Sequence, residues 1–267
     1  MTVVSEELVT GSVRAIRRSG LWWGVGIVAM AVITAAFWPS LEGSEALSSF
    51  EDMEDLLEAF GAQNIATPAG YLDGQLYALM LPLLFSGLAI ATVTALTSGD
   101  EDAGRLEFVH ALPVSRRGVW LGRWTAAVLV LVAVAAAAAV TMVVLRPVFS
   151  YAEVSWTRLL VATFAGALLG AFHAAVAYAV GGWGGSRGRA VGAAIIVLVA
   201  GYLAALLVPL VDALEWVRVL SPWHWALRGQ PATNGVHAGG LLLLAGVTAL
   251  LVWVGTAAVE RRDIRPA

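Results

Sequence analysis

The chain has 267 residues, 59% of them hydrophobic and only 13% charged, with a mean hydropathy of +0.80. Soluble domains sit nearer half apolar and a quarter charged, so this composition excludes a soluble domain and marks an integral membrane protein. The net charge of −3 says little about nucleic acid, because the charges are segregated by loop, and the lack of cysteine excludes disulfides, thiolate metal sites and thiol catalysis.

All 16 basic residues are arginine, which with abundant Ala, Val and Gly points to a GC-rich prokaryotic genome. The missing lysine also excludes an ordinary P-loop, whose G-x-x-x-x-G-K-S/T pattern needs that residue to reach the phosphates. If ATP drives this protein, another subunit binds it.

Residues 1–20 set Leu8, Val9, Val13 and Ile16 at near-helical spacing against Arg14, Arg17 and Arg18, which predicts an amphipathic helix lying on the inner leaflet. A signal peptide fits less well, since a long polar stretch precedes the apolar run and no A-x-A site closes it. Six apolar runs follow: Leu21–Trp38, Leu76–Thr97, Trp124–Leu145, Leu159–Val180, Ala190–Val211 and Ala238–Val259. Each is long enough to cross roughly 30 Å of hydrocarbon at about 1.5 Å per residue, and each is apolar all round. The fold class is therefore an all-α integral membrane protein with six transmembrane helices in a single domain, 21–259, followed by a short tail, 260–267.

Between the first two spans, residues 39–74 carry eight acids and no base, yet Leu47, Phe50, Met53, Leu57 and Phe60 recur at helical intervals. An acidic amphipathic helix over 45–61 is expected there, broken by Gly61 and ended before Pro68. It caps the outer mouth or packs on a partner, or it is a solvated helix resting on its own domain.

The charged stretch between the second and third spans, 98–123, reads SGDEDAGRLEFVHALPVSRRGVWLGR. Ser98 and Glu101 fit a capping box, Asp100, Glu101 and Asp102 suit the positive end of a helix dipole, and Pro113 stops the helix. Ala103, Leu106, Val109 and Leu112 then share one side, with Phe108 beside them. Ser115 is placed to cap the next helix. Such a segment suits docking of a soluble partner; the plain alternative is a solvated loop whose arginines only set topology.

The turn at 181–189, GGWGGSRGR, is short and glycine-rich, and the outer segment Arg146–Trp156 is short too. The last outer segment, 212–237, is half apolar, rich in tryptophan and interrupted by Pro222 and Pro231, which predicts half-helices dipping back into the outer leaflet. With the N-terminus inside, twelve of the 16 arginines fall in cytoplasmic segments, leaving Arg146, Arg158, Arg218 and Arg228 outside. Both termini are therefore expected in the cytoplasm.

Inside the spans the candidates are few. His173 is the only ionisable residue deep in one, and it reads as a proton or substrate contact or as a neutral histidine bonded to a neighbouring helix. Ser86, Thr92 and Thr94 line a path or bond their own helix backbone. Gly166 and Gly170 form a G-x-x-x-G packing face. Trp223, His224 and Trp225 are placed to gate an outer exit, or to anchor at the interface.

Three stretches resemble the membrane subunits of type-2 class ABC exporters, including permeases for polyketide-antibiotic or multidrug export: EDAGRLEFVHALPVSRRGVWLGR at 101–123, LSPWHWALRGQP at 220–231 and ERRDI at 260–264. The resemblance implies a coupling helix seated in a groove of a separately encoded ATPase, a role it gives to Glu101, Gly104, Arg105, Leu106, Glu107, Phe108 and Pro113. It implies two ATPase partners carrying ATP and Mg, no cofactor on this chain, and pairing with a second permease chain as a homodimer or heterodimer. It further implies a multi-pass place in a prokaryotic plasma membrane, a leading connecting helix and a re-entrant outer hairpin.

Two other classes compete. An ion-coupled carrier or channel usually places carboxylates or arginines within its spans, whereas every acid here lies at or outside a boundary. An intramembrane protease of the rhomboid kind needs Gly-x-Ser-Gly, but residues 84–87 read Leu-Phe-Ser-Gly, and no H-E-x-x-H is present.

Overall fold

The computed structural model of the chain describes residues 6–42, 66–104, 114–207 and 215–261. The acidic helix expected over 45–61, residues 105–113 of the charged loop, residues 208–214 and the tail after Arg261 lie outside the described residues.

Backbone amides in hydrocarbon must bond within their own segment, so apolar runs of this length become helices. Six described helices are long and apolar enough to cross a membrane. The first, α1, is Glu6–Leu41. The second span is assembled from α2 (Pro68–Leu72), a π-helical turn (Asp73–Tyr77), α3 (Met80–Leu96) and α4 (Ser98–Asp102). Then come α5 (Arg116–Val144), α6 (Trp156–Gly182) and α7 (Arg187–Leu207), two short helices, α8 (Glu215–Arg218) and α9 (Pro222–Leu227), and finally α10 (Ala238–Arg261).

The expected leading helix is not a separate element. Glu6 to Leu41 is one helix of 36 residues, with no break at residue 20. Its apolar stripe is covered by the bundle itself: Ile16 is buried against Leu96 of α3 and Ala126 of α5, with Val9 and Val13 packed on the same cluster. Arg14, Arg17 and Arg18 face outward. A stripe with protein to bury against has no need of lipid.

Local chemistry explains where the helices begin. Thr67 accepts the Gly70 N–H at 3.1 Å while Pro68 fills the first position of α2. Ser115 does the same for α5, its Oγ accepting the Gly118 N–H at 3.1 Å, as the sequence leads one to expect. α4 departs from expectation. It follows Thr97, whose φ of −107° and ψ of −97° break the helical path, and Thr97 rather than Ser98 holds the cap position, without a side-chain cap bond. The helix ends at Asp102, where Gly104 turns the chain at φ +69°; the expected stop at Pro113 lies outside the described residues.

α6 is the hub. It packs against α3, α5, α7 and α10, and 72% of its most apolar window is buried. The contact with α3 is close enough to exclude side chains: a Cβ on Gly170 would stand 2.9 Å from the Phe85 carbonyl carbon and oxygen. At the other end, a Cβ on Gly182 would run into the Gly255 carbonyl oxygen of α10. The G-x-x-x-G face read from the sequence is thus the α3–α6 seam.

The described part of the segment before α10 folds back into the bundle. α9 packs on α6, α7 and α10, with Pro222, Trp223 and Ala226 buried.

Candidate functional site

At the end of the bundle bearing Arg116, Arg117, Arg187 and Arg189, α4 is fastened on three sides. Asp100 pairs with Arg123 of α5 at 2.8 Å, with both side chains little exposed. Arg123 also donates to the Leu96 carbonyl at the end of α3, satisfying an orphan acceptor there. Asp102 accepts the Arg187 backbone N–H at 2.8 Å and so caps α7 across the bundle. A five-residue helix is thereby bound to α3, α5 and α7. Arg123 is not the loosely solvated topology marker that the sequence suggests; it is a buried structural cation.

Of the seven residues given a coupling role by resemblance, the structure places two on this fastened segment: Glu101 in α4 and Gly104 at the turn after it. Arg105, Leu106, Glu107, Phe108 and Pro113 lie outside the described residues.

In the interior, two of the four path candidates meet. Ser86 Oγ lies 2.9 Å from His173 Nδ1 and 2.7 Å from the Pro82 carbonyl oxygen, and both side chains are fully buried. The carbonyl can only accept, so the single hydroxyl proton goes to Pro82 and Nδ1 must be the donor to Oγ. That tautomer leaves Nε2 as the acceptor, and it has no partner among the described residues. An imidazole that donates to a serine is not its general base, so the pair lacks the polarity a serine protease requires. Thr92 and Thr94 are not joined to it. Each is buried and returns its hydroxyl to its own helix, to Leu88 at 2.8 Å and Ile90 at 2.7 Å.

The candidate outer gate divides in the same way. Trp223 is buried, donates its indole N–H to the Leu198 carbonyl at 3.2 Å, and packs on Tyr202 and His173 with ring centroids 5.2 and 6.4 Å apart. It is a wedge between α6 and α7, not a flap at a surface. Ser221 supports it, capping α9 through the His224 N–H and donating to the Gly201 carbonyl at 2.6 Å. His224 and Trp225 are half-buried beside it, and Trp225 donates to the Val219 carbonyl.

Sequence reasoning passed over one further constellation. Asp73, in the π-helical turn, is buried and accepts three bonds: from the Ala232 and Thr233 N–H groups at 2.8 Å each, and from the Thr233 hydroxyl at 2.7 Å. Arg158 of α6 donates to the Thr233 carbonyl. Together they clasp the strap between α9 and α10. An acid close before a long apolar run was the available signal, but its partners lie 159 and 160 positions away.

No metal-ligating cluster of His, Asp and Glu occurs among the described residues. No curated protein matches the chain. A family model does: the one described as multidrug efflux system permease Rv1217c, C-terminal domain, matches residues 11–259. That match spans all six membrane-crossing helices, so the chain belongs to this multidrug efflux permease family and is a multi-pass membrane permease.

Proposed function

We propose that the chain is the membrane subunit of an ATP-driven exporter. Two copies of a separately encoded ATPase, holding ATP and Mg, push on the 98–123 segment from the cytoplasmic side of a prokaryotic plasma membrane. The bundle, paired with a second permease chain, then moves a hydrophobic or amphiphilic cargo outward. The observation that carries this reading is the fastening of α4 to α3, α5 and α7 through Asp100, Arg123 and Asp102. A load applied to a loose loop is absorbed by the loop, whereas a load applied to a helix bonded to three spans moves those spans. Family membership supports the transport class.

Two variants separate docking from transmission. Replacing 101–113 by a Gly/Ser linker should free the ATPase from membranes. Asp102→Asn with Asp100→Asn should instead keep the ATPase bound and hydrolysing ATP while drug accumulation in cells rises to the level of a permease-less strain. Retained ATPase binding and efflux after the linker replacement would refute the docking role.

A further inference from the structure

A groove of about 470 Å³ lies between α5, α6 and α10, within the size range of roughly 300–1,000 Å³ typical of ligand clefts. Trp124 of α5, Leu168 of α6, and Ala249 and Trp253 of α10 form its walls, and Trp253 is 61% exposed beside it. From Ala245 to Thr256 the lining stretch of α10 is about 16 Å long.

The hydroxyls in these walls are committed elsewhere. Thr248 donates to the Leu244 carbonyl and Thr256 to the Val252 carbonyl, each at 2.7 Å, and Thr256 also meets the Tyr178 hydroxyl at 2.9 Å. The one charged group in the lining is Arg117 at the arginine-bearing end. Its side chain is exposed, lines the groove, and forms no ion pair with a described carboxylate. A guanidinium is always charged and matches a phosphate through paired N–H donors. The groove therefore offers hydrocarbon along most of its length and one cation at one end. A cationic drug would be repelled at that end, and a neutral one would leave the charge unmatched.

We infer that the α5–α6–α10 groove binds an anionic phospholipid of the leaflet at the arginine-bearing end, with its phosphate on Arg117 and one acyl chain lying along α10 past Trp253. The site faces sideways out of the bundle and is independent of how the protein is energised.

The full chain in lipid nanodiscs tests this with phosphatidylglycerol and phosphatidylcholine brominated on their acyl chains. The signal is Trp253 quenching, taken as the difference between the parent chain and Trp253→Phe. Phosphatidylglycerol should quench at about fivefold lower mole fraction than phosphatidylcholine, the preference one arginine confers near an anionic surface. Arg117→Gln should make the two lipids equal, and Ala249→Leu, which narrows the groove without adding a fluorophore, should likewise abolish the preference while the melting temperature holds. Equal quenching in the parent chain, or a preference that survives Arg117→Gln, would overturn the site. So would disulfide-linked dimers of Trp253→Cys, in a chain otherwise free of cysteine, because they would seat a second copy over the groove.

Discussion

Gly170 has no room for a side chain, because the Phe85 backbone occupies the space where one would begin. Gly170→Leu must push α3 away from α6, and about 2–3 kcal/mol should be lost, read as a lower melting temperature of the purified protein. Gly246→Ala is the control: a Cβ there meets nothing within 4 Å, so stability should hold or rise by up to about 1 kcal/mol, the helix preference of Ala over Gly. His173 is a different case, since removing it deletes one bond to Ser86 together with an unpartnered acceptor. His173→Leu should change stability by no more than about 1 kcal/mol and leave drug efflux intact; efflux lost from a well-folded variant would make the imidazole a working group. Asp73→Asn replaces one acceptor oxygen with an amide that faces donors already in place. It should cost about 2 kcal/mol, measurable by the same melting assay. Two of these sites differ sharply in how readable they are. The glycine face shows in the sequence as small residues one turn apart, but nothing near Asp73 names Ala232 or Thr233 as its partners.

Among the elements, the spans were legible to within a few residues at most ends, because an unbroken apolar run has one low-energy form in hydrocarbon. The boundaries of α1 and α4 were not. At residue 20 the pattern changes from amphipathic to wholly apolar, yet Ile16 finds cover on α3 and α5, so the helix has no reason to stop. In the charged loop the sequence offers Pro113 as a stop, whereas the backbone shows a turn already at Gly104. Equally hidden was the pairing that holds α4. Asp100 and Arg123 should show a coupling energy in a double-mutant cycle, with Arg123→Gln alone costing toward the low end of the roughly 3–5 kcal/mol typical of a broken buried pair. Additive losses in unfolding experiments would mean that the two charges act separately.

For the whole molecule, the arrangement of arginines predicts which end faces the cytoplasm, and the lack of native cysteine makes that easy to check. Glu101→Cys, on α4, should resist a membrane-impermeant thiol reagent added to intact cells, whereas Asn234→Cys, in the strap before α10, should react. The reverse pattern would invert the topology and remove any contact with a cytoplasmic ATPase. Fold class and family were legible because six runs and three short motifs lie along the chain in order. The bonded network at the arginine-rich end was not, since it joins residues on four different helices that only the fold makes neighbours. The central position of α6 also has a consequence for biogenesis. A ribosome delivers α6 to the bilayer before α7 and α10 have been synthesised, so during translation the side of α6 that packs on those two helices faces lipid that they will later displace. Chains halted short of residue 238 should therefore be inserted yet unsealed, and membrane quality-control proteases should clear them faster than the finished protein.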